Sequence, residues 1–339
     1  MERKPTLRDV AALAGVSPAT VSRVARGFLS VDEGIRARVR RAAAELGVSL
    51  DRRRGSSLIL FLLANRPMLH PIHSRILVGA ESYCASRGWD LVFQSYRYVL
   101  DEEPRRIRLP RLIEWRGLVR AIILAGTNSA NVLEALRVVG IETAVYGNNV
   151  VGDWNPSRED AVFSDDIGGA REMTQYLISL GHKDIWYVGA AGLPWMIRTG
   201  EGYRQAMERA GFTPRFKWMH TEEREAGYLA AKALIVQGEP LTAIFAGSDA
   251  TAEGVYRALR DMNLRAPDDI SVCGVNDTEG AILHPALTTI RPFPEEVGRN
   301  LAELVIERIT DPDSERRQRV IPTQVVKRDS CAPPRSLES

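Results

Sequence analysis

The sequence has 339 residues, of which 45% are hydrophobic and 26% are charged, and it predicts a soluble protein of two or three folding units. Its longest apolar run is seven residues, Leu58–Ala64, which is too short for a membrane-spanning helix. Its first thirty residues hold no apolar stretch of signal-peptide length, which excludes a secretory signal. Both observations predict a cytoplasmic location. The net charge of +2 is uneven, since residues 1–54 hold 12 Lys and Arg against 6 Asp and Glu and the remainder holds 33 against 37, which predicts nucleic-acid contact at the N-terminal end.

The first predicted elements are two short helices joined by a glycine turn. Thr6 is suited to cap the first helix, with Asp9 as an acidic partner in its first turn, and Gly15 stands where that helix ends because glycine accepts a positive φ. Ser17 is suited to cap the second helix, with Pro18 at its first position, where no backbone N–H is missed. Caps, turn and apolar spacing agree in register and predict a helix-turn-helix unit. A third helix is predicted over residues 32–46.

The second helix of such a unit presents its N-terminal residues to base edges in the major groove. Pro18 and Ala19 have no hydrogen-bonding side chain, so they predict apolar contact with a thymine methyl group, and Arg23 predicts a bond to a guanine or a phosphate. Further hydroxyl and guanidinium groups are suited to phosphate contacts, which position a protein without reading sequence. These candidates are Thr6, Ser17, Thr20, Ser22 and Arg26.

The stretch Asp9–Val24, which reads DVAALAGVSPATVSRV, closely resembles the signature of the lactose/galactose repressor (LacI/GalR) family. The resemblance covers the headpiece from Thr6 through Val48 and continues over almost the whole chain. Four later segments resemble the sensor domain of the family, namely Gly181–Lys183, Ala243–Asp249, Pro267–Val272 and Pro285–Ile290. The resemblance implies a repressor that binds a pseudo-palindromic DNA operator under the control of a small effector. It also implies that the protein is a homodimer, which forms through its sensor lobes.

One segment departs from the family pattern. Family members usually follow the third helix with a Tyr-x-Pro-Asn turn and a hinge helix, which wedges a leucine into the minor groove and couples ligand state to DNA affinity. Residues 47–57 read GVSLDRRRGSS, with no Pro-Asn, and Leu50 lies too early to be that leucine. Arg52, Arg53 and Arg54 either contact phosphates or form a flexible basic linker. This departure leaves an alternative function, that of a DNA-binding regulator whose DNA affinity no ligand changes.

After residue 57, short apolar runs alternate with helical segments. A first series of predicted strands is Leu58–Ala64, Asp90–Ser95, Ala121–Ala125 and Thr143–Tyr146, and a second series begins with Ala161–Ser164 and continues with Ile185–Val188, Ala243–Ala246 and Ile270–Gly274. Two successive series predict an α/β fold with two lobes, each a doubly wound parallel sheet. The resemblance implies a periplasmic-binding-protein-like sensor whose chain crosses between lobes near Ser157–Phe163, Thr289–Pro292 and Ile321–Thr323.

Ligands of open α/β sheets bind outside the carboxyl ends of the strands, so residues that follow strand ends are candidates for effector binding. Carboxylates and amides pair with vicinal hydroxyl groups, and an aromatic ring covers the apolar face of a pyranose, which predicts a sugar-like ligand. The candidates are His73, Asn148, Phe163, Asp165, Trp195, Arg198, Asp249, Asn276 and Asp277. Sugar-binding family members have an arginine where this chain has Thr199, one place after Arg198, so their ligand chemistry does not carry over unchanged.

Two other classes of protein are disfavoured. An enzyme would need a catalytic constellation, but the sequence has no GxSxG, HExxH, Walker loop or GxGxxG motif, and its acidic residues are dispersed. A sugar-uptake receptor shares the two-lobed fold but needs an export signal and has no helix-turn-helix. The cysteines, Cys84, Cys273 and Cys331, are too far apart in sequence for a metal motif or a disulfide framework, so no metal or cofactor is expected, and Cys84 and Cys273 are interpreted as buried small hydrophobic residues.

The sequence therefore predicts four parts. Residues 1–47 form a small all-α helix-turn-helix headpiece, and residues 48–57 form a short basic linker. Residues 58–332 form the two-lobed effector-binding and dimerisation domain, and residues 333–339 form a tail. No leucine heptads follow Thr323, so a coiled-coil tetramer is not expected.

Overall fold

A computed structural model describes residues 5–25, 31–48, 58–67, 70–114 and 117–335. Its N-terminal unit consists of the helices α1 (Leu7–Ala14), α2 (Pro18–Ala25) and α3 (Glu33–Glu45). Apolar side chains of all three helices form a small core of their own. Its buried members are Val10, Ala11, Ala14, Val21, Val24, Val31, Val39, Ala42 and Ala43.

The caps and the corner of this unit follow from local chemistry. The backbone N–H and the hydroxyl of Thr6 both donate to Asp9 Oδ2, each at 2.7 Å, which closes the start of α1. Gly15 ends α1 with a φ of 64°, in the left-handed region that glycine enters without a steric penalty. Ser17 Oγ accepts a bond from the Thr20 backbone N–H at 3.1 Å and caps α2. The predicted caps, turn and third helix are confirmed.

The first lobe is a six-stranded parallel sheet of order β13-β7-β5-β3-β1-β2, flanked by helices, with a small extra pair formed by β4 and β6. Its elements are β1 (Leu58–Ala64), α4 (Pro71–Ser86), β2 (Asp90–Tyr96), α5 (Arg111–Glu114), β3 (Val119–Gly126), β4 (Asn128–Ser129), α6 (Ala130–Val139), β5 (Glu142–Tyr146), β6 (Val150–Val151), β7 (Asp160–Ser164), α11 (Pro294–Thr310) and β13 (Gln318–Ile321).

The central strand β1 shows why this lobe has helices on both faces. Successive side chains of a strand point to opposite faces, and Ile59 and Phe61 enter the core on the side of α4 and α11. Leu60 and Leu62 enter a second core on the side of α6. All four are 0% exposed, so an uninterrupted apolar strand is buried on both sides, as parallel sheets require.

The second lobe repeats the plan with a sheet of order β14-β12-β11-β10-β8-β9. Its elements are α7 (Asp166–Ser179), β8 (Ile185–Ala190), α8 (Pro194–Arg209), β9 (Arg215–Met219), α9 (Glu223–Val236), β10 (Ala243–Ala246), α10 (Asp249–Asp261), β11 (Ser271–Val275), β12 (Thr288–Arg291) and β14 (Gln324–Val326). The predicted doubly wound architecture is confirmed with one difference, because β14 pairs antiparallel with β12. Cys84 and Cys273 are 0% exposed, one in each lobe, as expected of small hydrophobic residues.

The chain crosses between the lobes three times. The first crossing follows β7, which we predicted to begin the second series, but β7 pairs with β5 and β13 in the first sheet. That assignment is wrong because the pattern of an apolar strand does not reveal which sheet accepts it. The second crossing lies between β12 and α11, and the third lies at residues 322–323 between β13 and β14, close to the expected positions.

Candidate functional site

The exposed part of the N-terminal unit is the start of α2. Pro18, Ala19 and Arg23 are exposed, and Arg23 forms no hydrogen bond or ion pair within the described part of the chain. The other hydroxyl candidates lie around them: Thr6 and Ser17 belong to the two helix caps, and Thr20 and Ser22 are half-buried. Arg26 and the linker residues Arg52, Arg53 and Arg54 lie outside the described residues. An exposed helix end with a free guanidinium has the geometry to enter a groove of DNA.

A second candidate site is a cavity of about 230 Å³ between the two lobes, at the carboxyl ends of both sheets. The first lobe contributes residues that follow β1 and β5, and the second lobe contributes residues that follow β8, β10 and β11. This is the position at which open α/β sheets bind ligands. The polar and aromatic residues that line it are Arg66, His70, His73, Tyr146, Asn149, Asp166, Trp195, Thr199, Glu223, Arg224, Ser248, Asp249, Asn276, Thr278, Glu279 and Thr323.

Four of the nine side chains predicted to bind an effector line this cavity: His73, Trp195, Asp249 and Asn276. The Asn276 amide has no hydrogen-bond partner among the described residues, and its backbone φ of 100° directs this non-glycine residue into a sharp turn after β11. An unpaired amide at the wall of a polar cavity is available to ligand hydroxyl groups.

The other five predicted residues lie behind the wall. Asn148 and Arg198 both bind Asp166, a lining residue, with Asn148 Nδ2 at 2.7 Å and Arg198 Nε at 3.1 Å from Asp166 Oδ2. Asp165 caps α7 by accepting a bond from the Gly168 N–H at 2.8 Å. These residues position the wall, and their predicted contact with a ligand stays a prediction.

Phe163 and Asp277, the remaining two, also contact protein. The ring of Phe163 packs against Trp154 with centroids 5.9 Å apart. Asp277 accepts bonds from Arg291 at 2.6 Å and Arg328 at 2.7 Å. Burial alone would raise the pKa of Asp277, but the hydrogen bonds from these arginines lower it below its usual value. The pair of arginines makes Asp277 an ionised anchor for the loop after β11.

Sequence reasoning missed several lining residues, although the same rule would have found some of them. Arg66 follows β1 by two residues, as Asn276 follows β11 by one. Asn149 and Asp166 each lie one position after a predicted residue, Asn148 or Asp165. The direction of the loop after the strand decides which of two neighbouring residues faces the cavity. Glu223, at the start of α9, gave no signal in the sequence that separates it from an ordinary helix-start acid.

A pair of histidines forms one wall. Asn149 Nδ2 donates to His73 Nε2 at 3.4 Å, so His73 carries its proton on Nδ1 and donates it to His70 Nδ1 at 3.1 Å. Burial, followed by the charge of Arg66, lowers the pKa of His70 to about 4. Burial and the neighbouring His70 and Arg66 also lower the pKa of His73. Both rings are therefore neutral at neutral pH and act as hydrogen-bonding groups.

Two carboxylates belong to the wall of the second lobe. Asp249 is 0% exposed, and its oxygens accept bonds from Thr289 Oγ1 at 2.6 Å and from the Thr278 N–H at 2.8 Å. Burial raises the pKa of Asp249 to about 6, against the opposing effect of these bonds. Burial likewise raises the pKa of Asp166, which Arg198 opposes. Asp249 thus spends its acceptors on the loop, whereas Asp166 keeps Oδ1 without a hydrogen bond in the described part of the chain.

Across the described residues, no three His, Cys, Asp or Glu side chains come together in a way that could hold a metal ion. None of the described helices combines the length and apolar character that crossing a bilayer requires.

Two family models match different parts of the chain. Residues 6–48 match the family described as bacterial regulatory proteins, lacI family, and residues 174–331 match a periplasmic binding protein-like domain. The chain is 30% identical over 342 aligned residues to the HTH-type transcriptional regulator CelR of Thermobifida fusca, which covers 97% of this chain and 98% of that protein. It is 31% identical over 342 aligned residues to the ribose operon repressor of Escherichia coli (strain K12), and this alignment covers 96% of this chain and 99% of that protein. Among solved structures, the transcriptional regulator CelR–cellobiose complex is similar, with a TM-score of 0.69, 28% identity and coverage of 96% of this chain and 99% of that chain.

Proposed function

Because this chain belongs to the LacI family of bacterial regulatory proteins, we propose that it is a transcriptional repressor, which binds a pseudo-palindromic operator as a homodimer and is switched by a small sugar-like ligand in the interlobe cavity. The observation that carries this proposal is the exposed N-terminal end of α2, held at a capped corner, with an unpaired Arg23. The function places the protein in the cytoplasm, with the nucleoid DNA.

The DNA-reading role rests on the shape and charge of the headpiece. The start of α2 offers small apolar side chains, Pro18 and Ala19, which fit against a thymine methyl group. One turn later, the Arg23 guanidinium can form two parallel bonds to a guanine edge. The hydroxyl groups of Thr6, Ser17, Thr20 and Ser22 surround this end and can hold phosphates. Two such headpieces in a dimer would read two half-sites in adjacent major grooves.

The ligand-binding role rests on the chemistry of the cavity and on the relatives. One similar structure is a cellobiose complex, and one similar repressor is named for ribose. The cavity has the mixture that sugars need, with the Trp195 ring, the unpaired Asn276 amide and the Asp166 carboxylate facing one space. A ligand that contacts both walls favours one relative placement of the lobes, which is how it would alter the spacing of the headpieces.

The sequence of the linker supports one alternative, a regulator that binds DNA but is not switched. The linker lacks the Pro-Asn turn of the family, and residues 49–57 lie outside the described residues. Both functions share the operator and differ only in whether bound ligand changes DNA affinity.

The test begins with an operator selected from a randomised duplex library, whose affinity is measured by fluorescence anisotropy. Arg23→Ala is expected to weaken binding by about 1–3 kcal/mol and to relax selectivity at one base pair. Arg171→Ala is the matched control, since Arg171 is an exposed, unpaired arginine on α7, far along the chain from the headpiece, and it should bind like the parent.

Two outcomes decide between the proposals. Failure of the full-length protein to select any duplex would contradict the repressor function. An operator affinity that is the same with and without a bound sugar would contradict ligand switching and favour the unswitched regulator.

A further inference from the structure

Arg66 has no ion-pair partner in the described part of the chain, unlike the other described arginine of the cavity wall. Of the described residues, two arginines line the cavity, Arg66 and Arg224. Arg224 pairs with Glu253 and with Glu279. No carboxylate in the described part of the chain forms an ion pair with Arg66. Burial lowers the pKa of Arg66, and only the charge of Glu223 opposes this effect. The wall therefore contains a half-buried cation that is balanced only by the charge of Glu223, and the two groups form no ion pair.

The guanidinium of Arg66 is nevertheless held in a definite orientation. Its carbon lies 4.4 Å from the centroid of the Trp195 ring, which belongs to the opposite lobe. Its Nε donates to Thr127 Oγ1 at 3.0 Å. The stacked face and Nε are thus occupied by protein, while the two terminal nitrogens have no acceptor among the described residues. A stacked arginine with free terminal N–H groups presents the planar fork that matches a carboxylate or a phosphate.

The neighbours of this fork are suited to an acid group. His70 and His73 are neutral at neutral pH, so they add hydrogen-bonding capacity without adding charge. Three other lining carboxylates have protein partners: Asp166 pairs with Arg198 through Oδ2, Glu279 pairs with Arg224, and Asp249 accepts bonds from Thr289 and Thr278. Glu223 is the one lining carboxylate for which the described residues supply no hydrogen bond or ion pair. One open cation and one open anion therefore face the same cavity from different lobes.

We propose that the effector is a polyhydroxylated compound with an acid group, in which Arg66 binds a carboxylate or a phosphate and the second lobe binds hydroxyl groups. This inference deepens the proposed function, on which it rests. A neutral sugar offers the Arg66 fork only hydroxyl acceptors, whereas an acid group accepts from both terminal nitrogens through charge-assisted bonds and adds a negative charge beside the guanidinium. Glu223 then accepts from a hydroxyl group of the ligand, and its charge disfavours a second acid group beside it.

The experiment compares acids with their neutral counterparts by isothermal titration calorimetry of the full-length protein. The probes are glucose with glucuronate, gluconate and glucose 6-phosphate, and galactose with galacturonate and galactonate. At least one acid is expected to bind about ten times more tightly than its neutral counterpart, as a charge-assisted bond requires. Comparison of the carboxylates with the phosphate identifies which acid group the fork accepts.

Three variants locate the effect. Arg66→Gln is expected to weaken binding of the preferred acid by about 10- to 100-fold and to leave its neutral counterpart within about twofold. Arg66→Lys, which keeps the charge but loses the fork, should fall between Gln and the parent. Glu223→Gln should strengthen acid binding, because it removes a like charge. Arg257→Gln is the matched control, since Arg257 also stacks on an aromatic ring, that of Tyr228, but is exposed outside the cavity.

The inference is overturned if neutral sugars bind as tightly as the acids, if no acid in the panel binds, or if Arg66→Gln weakens acids and neutral sugars equally. Operator binding without any sugar, measured on the same samples, separates this inference from the proposed function. A parent that binds acids but no duplex would overturn only the repressor function, and a parent that binds its operator but no acid would overturn only the acid effector.

Discussion

The guanidinium of Arg308 binds both carboxylate oxygens of Asp160, with Nε 2.8 Å from Oδ2 and Nη2 3.1 Å from Oδ1. Both side chains are 1% exposed. Asp160 begins β7, the strand that precedes the first crossing to the second lobe, and Arg308 lies near the end of α11, the helix that returns to the first lobe. This buried ion pair therefore joins the two ends of the chain's excursion through the second lobe.

Removal of the charge of Asp160 should destabilise the protein strongly. Asp160→Asn leaves the buried Arg308 without its counter-charge, and we expect the free energy of unfolding to fall by about 3–5 kcal/mol at pH 7. Chemical denaturation of the full-length protein, with circular dichroism as the signal of unfolding, measures this change. Asp153→Asn is the control, because Asp153 is exposed and has no bonded partner in the described part of the chain.

The same pair predicts a pH dependence. Burial alone would raise the pKa of Asp160, but hydrogen bonds from Arg308, Arg317 and Arg316 lower it below its usual value. A carboxylate with a lowered folded-state pKa stabilises the fold above its unfolded-state pKa of about 3.9, and that stability is lost as the pH falls through the folded-state value. The difference between parent and Asp160→Asn should be full at pH 7 and shrink below about pH 4. A difference that stays constant from pH 7 to pH 3 would contradict the ionic origin.

The corner of the headpiece depends on a residue that tolerates positive φ. Gly15→Ala adds no clash, since nothing lies within 4 Å of the new Cβ, but the φ of 64° should cost about 1–2 kcal/mol. Amide hydrogen exchange of α1 and α2 measures the loss, and operator affinity should fall with it. Gly211→Ala carries the same strain, at a φ of 77° in the second lobe, and should leave operator affinity unchanged. Equal operator binding by both variants would contradict the role of the Gly15 corner.

The unpaired amide of Asn276 should contribute to ligand affinity. Asn276→Gly removes the amide and fits the φ of 100°, so it tests the side chain without adding backbone strain. We expect the affinity for the preferred sugar or sugar acid to fall by about 1 kcal/mol, measured by calorimetry. Asn263→Gly is the matched control, because Asn263 also has a positive φ, 56°, but is exposed after α10. Similar effects of the two variants would mean that the Asn276 amide does not bind the ligand.

An exposed valine in the middle of α4 should belong to the dimer interface. Val78 is 59% exposed and lies within the helix rather than at its end, so a second copy of the chain that packs on α4 in the proposed homodimer would cover it. Val78→Asp is expected to shift the protein from dimer to monomer in sedimentation analysis and to weaken operator binding. Val236→Asp, at the end of α9 with 72% exposure, should remain dimeric. A dimeric Val78→Asp protein would contradict this placement.

Local chemistry in the sequence determined the headpiece and most of the strands. Each of the caps at Thr6 and Ser17 and the turn at Gly15 depends on residues within three positions along the chain, so a linear pattern is enough to predict it. The run Leu58–Ala64 matched β1 residue for residue because an uninterrupted apolar strand is buried on both faces. Strand β9, which alternates apolar and polar residues at the sheet edge, was missed.

Tertiary structure decided what no local pattern contains. The sheet that β7 joins depends on hydrogen bonds to β13, more than 150 residues later in the sequence. The identity of the lining residues depends on how each loop turns after its strand, which selects Asp166 over Asp165 and Asn149 over Asn148. The stacking of Arg66 on Trp195 joins two lobes whose residues are distant in sequence. Position after a strand end is a property of the chain, but the direction in which a side chain points there is a property of the packed molecule.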